Sequence, residues 1–249
     1  MRTHDWFAVT IEFVIVVVGV FLGMQVTKWN ADRVARRNAH SYVERIREDL
    51  ARNERSLVAR IAYYRQVKTH ALAALAAFEQ PKETLGETFL VDAYQASQIL
   101  STAIDKSTYI ELISSGAMNS IPSVDARRRI AGYYQNADAI ESILAYIPPY
   151  RETLRRLMPY PVQEAASIRC DDTTVNAAGQ ATAALAEDCK LELAPAATRA
   201  AVVALLVPDL ALDLNRRLAD VDTKLRNFQR LIDRAHELDQ FLAQPAGKE

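Results

Sequence analysis

The sequence predicts an all-helical protein with a membrane anchor. Only 7 of its 249 residues are glycine, whereas hairpin sheets and phosphate-binding folds use glycine in their tight turns. Half of the residues are hydrophobic, and a long apolar run lies close to the N-terminus. We therefore expect an N-terminal transmembrane helix that continues into a long stalk helix, packed with further helices as an antiparallel bundle.

The nearly neutral net charge indicates which kinds of partner to expect. The chain has 30 basic and 31 acidic side chains, and its formal net charge is −1. A dedicated nucleic-acid binder has a strongly basic surface. We therefore expect the lipid bilayer and other proteins as partners, and no nucleic acid.

The first predicted element is a transmembrane helix at residues 6–29, after a short tail at residues 1–5. Residues 6–26 read WFAVTIEFVIVVVGVFLGMQV, which is long enough to cross about 30 Å of hydrocarbon. Trp6 and Trp29 stand at its ends, where indole rings favour the headgroup region, and Lys28 can extend towards the same region. A cleavable signal peptide has a shorter apolar core and small residues at its cleavage site, so a retained anchor is favoured.

One face of this helix carries residues that are unusual in lipid. At about 100° per residue, Glu12, Gly19, Gly23 and Asn30 fall on one line. The Gly-x-x-x-Gly spacing lets two helix backbones approach closely, and a carboxyl group on the same face favours contact with protein. The spacing also arises by chance, and Glu12 can instead extend to the headgroups. We interpret the line as an interface with a second copy of the chain or with another membrane protein.

Two strings resemble a known family. IEFVIVVVGVFLGMQVTKWN at residues 11–30 and TYIELISSGAMNSIPSVDARRRIAGYY at residues 108–134 are similar to two signatures of one family of uncharacterised bacterial membrane proteins, a domain of unknown function. They cover about a fifth of the chain. The resemblance implies a single-pass bacterial inner-membrane protein and no assigned activity. Members of that family carry a longer basic segment before the membrane helix, whereas only MRTHD precedes it here.

Two patterns disagree about the side of the membrane on which the soluble part lies. Only Arg2 precedes the helix, whereas Lys28, Arg33, Arg36 and Arg37 follow it, and the positive-inside rule then places the soluble part in the cytoplasm. These juxtamembrane cations can also bind anionic headgroups.

The two cysteines point the other way. Cys170 and Cys189 bracket a polar, alanine-rich stretch, which is typical of a loop closed by a disulfide in an oxidising compartment; two free thiols are the alternative. Neither has a second Cys or His at zinc-site spacing. We favour a periplasmic soluble domain, because the cysteine pair and the family's basic N-terminal segment agree, with a cytoplasmic domain as the alternative.

The soluble domain is predicted at residues 30–243, with an irregular, cysteine-containing insert at about 150–196 and a flexible tail at 244–249. Neither glycine nor proline occurs between Gly23 and Pro81, so the membrane helix can continue as a stalk, or restart where Ser41 and Glu44 have capping-box spacing. Its apolar residues fall near one face: Ile46, Leu50, Leu57, Ile61, Tyr64, Leu75 and Phe78.

The later helices follow from their terminal signals. A second helix is predicted at about 87–114, ending before Gly116, and a third at about 124–146, with Ser123 as its N-cap. Pro148 and Pro149 end the third, and a short helix with irregular structure is expected up to Pro195. The last helix carries a heptad seam of Leu214, Leu218, Val221, Leu225, Phe228, Ile232 and Ala235.

This seam has two interpretations. It is either the core face of an antiparallel helix lying on residues 41–79 or a parallel coiled coil between two chains. The first is favoured, because the intervening helices also need a surface on which to pack.

The sequence contains no recognisable catalytic or metal-binding pattern. The four histidines lie far apart, and neither a phosphate loop nor a nucleophile elbow occurs. The arginine runs at 127–129, 155–156 and 216–217 are interpreted as exposed helix faces, and the tyrosines as rims of the core with their hydroxyls outward. A solvated acidic loop is favoured over a calcium site for Asp171, Asp172, Glu187 and Asp188. We therefore predict no catalytic residue, cofactor or metal.

The leading hypothesis is a non-enzymatic single-pass membrane protein that scaffolds or modulates a membrane complex. A ligand-sensing helical ectodomain that signals through a partner is the alternative. An enzyme comes third, since it requires residues such as Tyr109, Glu111 and Arg127 to converge in space.

Overall fold

The computed structural model describes residues 6–100, 103–170, 173–175, 181–186 and 189–244. Within these ranges the regular elements are helices, which confirms the predicted all-helical class; the exception is one antiparallel pair of three-residue strands. The elements are α1 Trp6–Ala77, α2 Glu87–Ala96, α3 Ser107–Ser114, α4 Val124–Leu144, α5 Pro149–Leu157, α6 Tyr160–Arg169, β1 Thr173–Val175, β2 Ala181–Ala183, α7 Pro195–Leu205 and α8 Pro208–Leu242. Short 3₁₀ turns lie at Lys82–Thr84 and Ala117–Ser120.

Helix α1 is a single helix of 72 residues. The continuous stalk is confirmed, and the alternative of a restart at Ser41 is wrong, because Ser41 lies inside the helix with its side chain exposed. A capping serine needs non-helical backbone angles, and no glycine or proline interrupts the chain there to provide them. The apolar half of α1, residues 6–30, and its domain half, residues 31–77, therefore share one helix axis.

Helix α8 lies along the domain half of α1. Arg47 pairs with Asp239 at 2.8 Å, whereas Lys68 pairs with Asp222 at 2.6 Å. Residue numbers rise along α1 as they fall along α8, as they do in two helices that run in opposite directions.

Two apolar clusters fill the domain. The proximal cluster packs the start of the domain half of α1 against α3, α4 and the second half of α8. The distal cluster packs the end of α1 against α2, α5, α6, α7 and the start of α8. On α8 the boundary falls between Leu214, in the distal cluster, and Val221, in the proximal one.

The second predicted helix is in fact two. The chain leaves the helical path after Ala96 and returns at Ser107, because groups from other helices bind the intervening backbone. Asn53 of α1 accepts from the amide of Asp105 and donates to its carbonyl, at 2.7 and 2.9 Å. The Asp105 carboxylate in turn accepts from the Ser107 amide at 3.0 Å, which satisfies a donor of the first turn of α3.

The predicted terminal signals are confirmed at two places. Gly116 has a left-handed φ of 72° and follows α3 as its C′ residue. Ser123 accepts a hydrogen bond from the Ala126 amide at 3.1 Å and so caps α4.

The region after Pro148 is more regular than predicted. It contains two helices, α5 and α6, each with a proline in its first two positions, where the missing amide costs nothing. A small sheet follows, with Thr174 opposite Thr182.

The heptad interpretation of α8 is correct in part. Leu214, Val221, Phe228, Ile232 and Ala235 are buried, whereas Leu218 and Leu225 are half-buried. A neighbouring position, also repeated every seven residues, is buried instead. Because α8 packs on α4 and α5 as well as on α1, its buried arc is wider than a two-helix seam. The buried set at this position is Leu210, Arg217, Lys224, Leu231 and Leu238.

The tyrosines also differ from expectation, since several lie inside the core with their hydroxyls. Tyr150 is buried and donates to the carbonyl of Ala93 at 2.9 Å. Tyr64 is buried and accepts from the amide of Leu100 at 3.3 Å. Burial raises the pKa of Tyr133 to about 12.

Candidate functional site

The first candidate site is the apolar half of α1. Its most apolar stretch has a mean hydropathy of 1.8, and none of it is buried within the structure. Among the described residues this is the one helix long and apolar enough to span a membrane. A surface of this size and composition needs cover from lipid or from another protein.

The four predicted interface residues all lie on this half and are exposed. A Cβ atom added at Gly19 or Gly23 meets no other atom within 4 Å, so a second helix can approach both. Thr27 donates to the Gly23 carbonyl at 2.9 Å and stays within its own helix. The side chains of Glu12 and Asn30 are exposed as well.

The domain packs on the opposite side of the same helix. Ala39 and Ile46 are the first buried apolar residues of α1, at 5% and 0% exposure. At about 100° per residue, they lie roughly 180° and 160° around the helix from Asn30. The predicted interface line and the domain therefore occupy opposite faces of one rod.

The juxtamembrane residues are exposed, as an interaction with a lipid surface requires. Lys28, Arg36 and Arg37 have exposed side chains, and the Arg33 guanidinium lies 5.7 Å from the centre of the Trp29 ring. Trp6 is the first residue of α1, but its side chain lies outside the described part of the chain.

The segment at residues 108–134 joins α3 to α1. Glu111 binds Arg45 through both carboxylate oxygens and also accepts from the Tyr42 hydroxyl at 3.1 Å. Arg45 first and Tyr42 second lower the pKa of Glu111. This ion pair joins α3 to α1, but it is exposed and contributes little free energy.

A buried contact lies one turn further along the same two helices. Asp49 is 1% exposed and accepts from the backbone amide of Thr108 at 3.2 Å. It also pairs with Arg52. Burial raises the pKa of Asp49, and the bonds from Thr108 oppose this.

The aromatic residues of the segment pack together. The rings of Tyr109 and Tyr134 stack with their centres 4.5 Å apart, and Tyr133 meets Tyr134 edge-on at 5.0 Å. The residues of this segment thus have partners within the domain, which accounts for them as structural contacts.

The cysteines form a disulfide, with their Cα atoms 5.4 Å apart. Gln95 of α2 donates to the carbonyl of Cys170 at 3.2 Å, and Cys170 belongs to the distal cluster. The bond therefore ties the region after α6 to the core. The four acidic residues considered for calcium, Asp171, Asp172, Glu187 and Asp188, lie outside the described residues.

Tyr109, Glu111 and Arg127, which an enzyme would need to bring together, each bind a different partner. Arg127 donates to the carbonyls of Ile121 and Pro122, whereas Glu111 binds Arg45 and Tyr109 stacks on Tyr134. Within the described ranges, no group of three His, Cys, Asp or Glu side chains has metal-site geometry.

Sequence reasoning missed a buried cation pair on α8. Arg217 is fully buried, so its prediction as an exposed arginine is wrong, and Lys224 is 3% exposed. The Arg217 Nε and Nη2 atoms donate to the carbonyls of Ala96 and Gln98, at 3.1 and 2.6 Å, and so bind the backbone where α2 ends. Spacing was the one sign of their burial in the sequence: Lys224 stands seven residues, and Arg217 fourteen residues, before the buried Leu231.

No protein-family model, curated protein or solved structure matches the chain.

Proposed function

We propose that this chain is a non-enzymatic, single-pass bacterial inner-membrane protein that scaffolds or modulates a membrane complex through helix–helix contacts. The apolar half of α1 is the anchor, and the remaining helices form an antiparallel bundle on its domain half. Membership of the family that its two strings resemble is part of the same proposal.

The opposite placement of two faces on α1 carries the proposal. Gly19, Gly23 and Asn30 face away from the side on which Ala39 and Ile46 receive the domain. A second transmembrane helix can therefore pack on the glycine face while each domain stays on the outside of the pair. Close backbone approach at small residues is the usual basis of such contacts in lipid.

Glu12 supports an interface on this face. A carboxyl group inside the hydrocarbon is costly when it faces lipid, and burial between helices lowers that cost. We infer that the partner is a second copy of the chain or another membrane subunit. The disulfide supports a periplasmic position for the domain.

Replacement of the two glycines tests the interface. In the Gly19→Ile/Gly23→Ile variant we expect inter-chain cross-linking in membranes and co-purification of any membrane partner to fall to background, because the added side chains keep the backbones apart. The matched control is Val14→Ile/Val17→Ile, which adds bulk on the opposite face.

The control should associate as the unaltered chain does, and both variants should remain in the membrane fraction. Unchanged cross-linking and unchanged partner recovery in the glycine variant would refute the proposed interface.

A further inference from the structure

The proximal and distal clusters meet at a polar seam, formed by Arg217, Asp220 and Lys224 of α8. On this helix the boundary falls between Leu214 and Val221. The Arg217 Nη1, Asp220 Oδ2 and Lys224 Nζ atoms are buried and have no hydrogen-bond partner in the described chain. Buried polar atoms without partners cost free energy. Contact across the seam therefore stabilises the domain less than the packing within each cluster does.

The charges of the seam also oppose close contact across it. The Arg217 guanidinium carbon lies 5.9 Å, and the Lys224 ammonium nitrogen 5.4 Å, from the centre of the Tyr64 ring of α1. Such contacts attract cations to the ring face but do not neutralise their charge. Arg217 repels Lys224, and the one carboxylate of Asp220 attracts both. The seam thus keeps an excess of positive charge.

The seam divides the domain into a proximal unit and a distal unit, each defined as the elements that form the cluster of that name. On α1 the boundary falls between Val67 and Ala71, and the helix ends at Ala77. On α8 the distal part, from Pro208 to Leu214, is the start of the helix. Helices fray from their ends, so both can lose their distal turns while the rest stays folded.

One loop crosses the seam. This strap, residues 170–189, is closed by the disulfide between Cys170 and Cys189. Cys170 lies in the distal cluster, and Cys189 packs against it. Leu185, within the strap, is 3% exposed and lies in the proximal cluster, where its amide donates to the Gln66 side chain at 3.0 Å. The strap is therefore attached to both units.

The disulfide shortens the tether between the two units. Leu185 lies four residues before Cys189 but 15 residues after Cys170. At up to about 3.6 Å per residue, the tether from Leu185 to α6 is roughly 14 Å of chain with the disulfide and roughly 50 Å without it. Beyond Cys189, the amide of Leu193 donates to the Glu87 carboxylate of α2 at 2.6 Å. The same short stretch therefore holds both α6 and α2 close to the proximal unit.

We propose that the strap couples the two units, so that a chain without the disulfide, or without the Leu185 contact, opens its distal unit while the proximal unit stays folded on α1. Opening exposes the buried side of α2, which includes Phe89 and Leu90. Cooperative units of this kind open separately when the contacts between them are weak. The coupling is independent of the membrane role proposed above.

Two variants remove the coupling in different ways. Cys170→Ala/Cys189→Ala removes the short tether. Leu185→Ser keeps the disulfide and removes the apolar contact with the proximal unit. Ala184→Ser is the matched control, because Ala184 is the exposed neighbour of Leu185.

Calorimetry and pulsed hydrogen–deuterium exchange of the full-length chain in an uncharged mild detergent measure the coupling. The unaltered chain and the control should unfold in one transition. In both strap variants the distal unit should unfold first, at least about 5 °C below the proximal unit, because only its own contacts are weakened. Between the two midpoints, a deuterium pulse should label the amides of α2 and α7 and leave those of α3 and α4 protected.

Loss of protection in α2 and α4 at one temperature in either folded strap variant would overturn the proposal. So would an unaltered chain, or an Ala184→Ser chain, whose two units unfold as far apart as those of the strap variants. Should Leu185→Ser fail to fold, the double cysteine variant alone decides between these outcomes.

Discussion

At the scale of single residues, Arg217 and Lys224 show two ways in which a helix can bury a cation. The two lie seven residues apart on α8 and face the same tyrosine. Arg217 extends two N–H groups to the carbonyls that end α2, so its charge organises a turn. Lys224 finds no hydrogen bond in the described chain, so its charge opposes folding.

The pKa of Lys224 leads to a prediction about stability and pH. Burial, and secondly the Arg217 charge, lower this pKa to about 8, whereas Asp220 raises it; Tyr64 and the buried Arg60 face the cluster from α1. Between about pH 8 and 9.5 the unfolded chain therefore binds more protons than the folded chain, and this group's contribution to stability rises with pH.

Thermal unfolding of the full-length chain in detergent measures the effect. At pH 7, Lys224→Met should be more stable than the unaltered chain by on the order of 1 kcal/mol, because a buried unpaired charge is removed. The difference should shrink as the pH rises to 9.5. The measurement ends there because burial raises the pKa of Tyr64, whose ionisation in the unfolded chain lowers the stability of both proteins at higher pH. A constant difference would contradict the prediction.

At the scale of elements, α1 combines two surfaces whose relative angle depends only on the number of residues between them. The glycine line and the side that receives the domain are fixed by the uninterrupted helix between Asn30 and Ala39. An insertion in this segment turns one surface relative to the other by about 100° per residue.

Insertions after Arg36 therefore test the continuity of α1. The reporter is a cysteine at Ser41, which is exposed and lies within about 20° of the glycine line. In paired chains, two such cysteines should cross-link on oxidation of membranes. Two added alanines turn Ser41 by about 200° and should abolish the cross-link, whereas seven turn it by only about 20° in the opposite sense and should restore it.

The control for these insertions is association through the glycine face, which should persist in both. Equal cross-linking with two and with seven added residues would contradict a rigid α1, and loss of the cross-link in both would contradict it as well.

The elements also show what the sequence can predict. The length of α1, the Ser123 cap and the Gly116 terminus depend on neighbouring residues, and the sequence predicts them correctly. The break between α2 and α3 depends on Asn53 and Arg217, which lie far away in the chain. The faces of α8 depend on α4 and α5 as well as on α1. Local patterns contain no record of such distant partners. The cation pair was missed because charged side chains are usually exposed, although its seven-residue spacing from Leu231 is visible in the sequence. The membrane helix and its glycine line stay predictions.

At the scale of the whole molecule, the disulfide closes the distal end of the domain. It joins cysteines 19 positions apart, next to the core formed by α2 and α6. We expect the Cys170→Ala/Cys189→Ala variant to be less stable by about 3 kcal/mol, because the unfolded chain loses a covalent constraint of this loop length. Thermal unfolding in detergent with and without reductant measures this.

The same cysteines report on the side of the membrane. The unaltered chain under reducing conditions should unfold at the temperature of the double variant, and the variant should not respond to reductant. In intact cells, a membrane-impermeant maleimide should label the chain only after mild reduction. Labelling of both thiols only in lysed cells would overturn the periplasmic placement, and stability insensitive to reductant would contradict the role of the bond.

The uninterrupted α1 also sets how far the domain extends from the apolar half of the helix. From Trp29 to Ala77 the helix continues without a break, and at 1.5 Å per residue this is roughly 70 Å along its axis. With the apolar half of α1 in a bilayer, as we propose, the two ends of the domain lie at different distances from the bilayer: α3 and the end of α8 near it, and α2, α6 and the disulfide far from it. A partner that binds the distal end must itself extend that far from the bilayer. The length of α1 therefore limits which proteins can bind there.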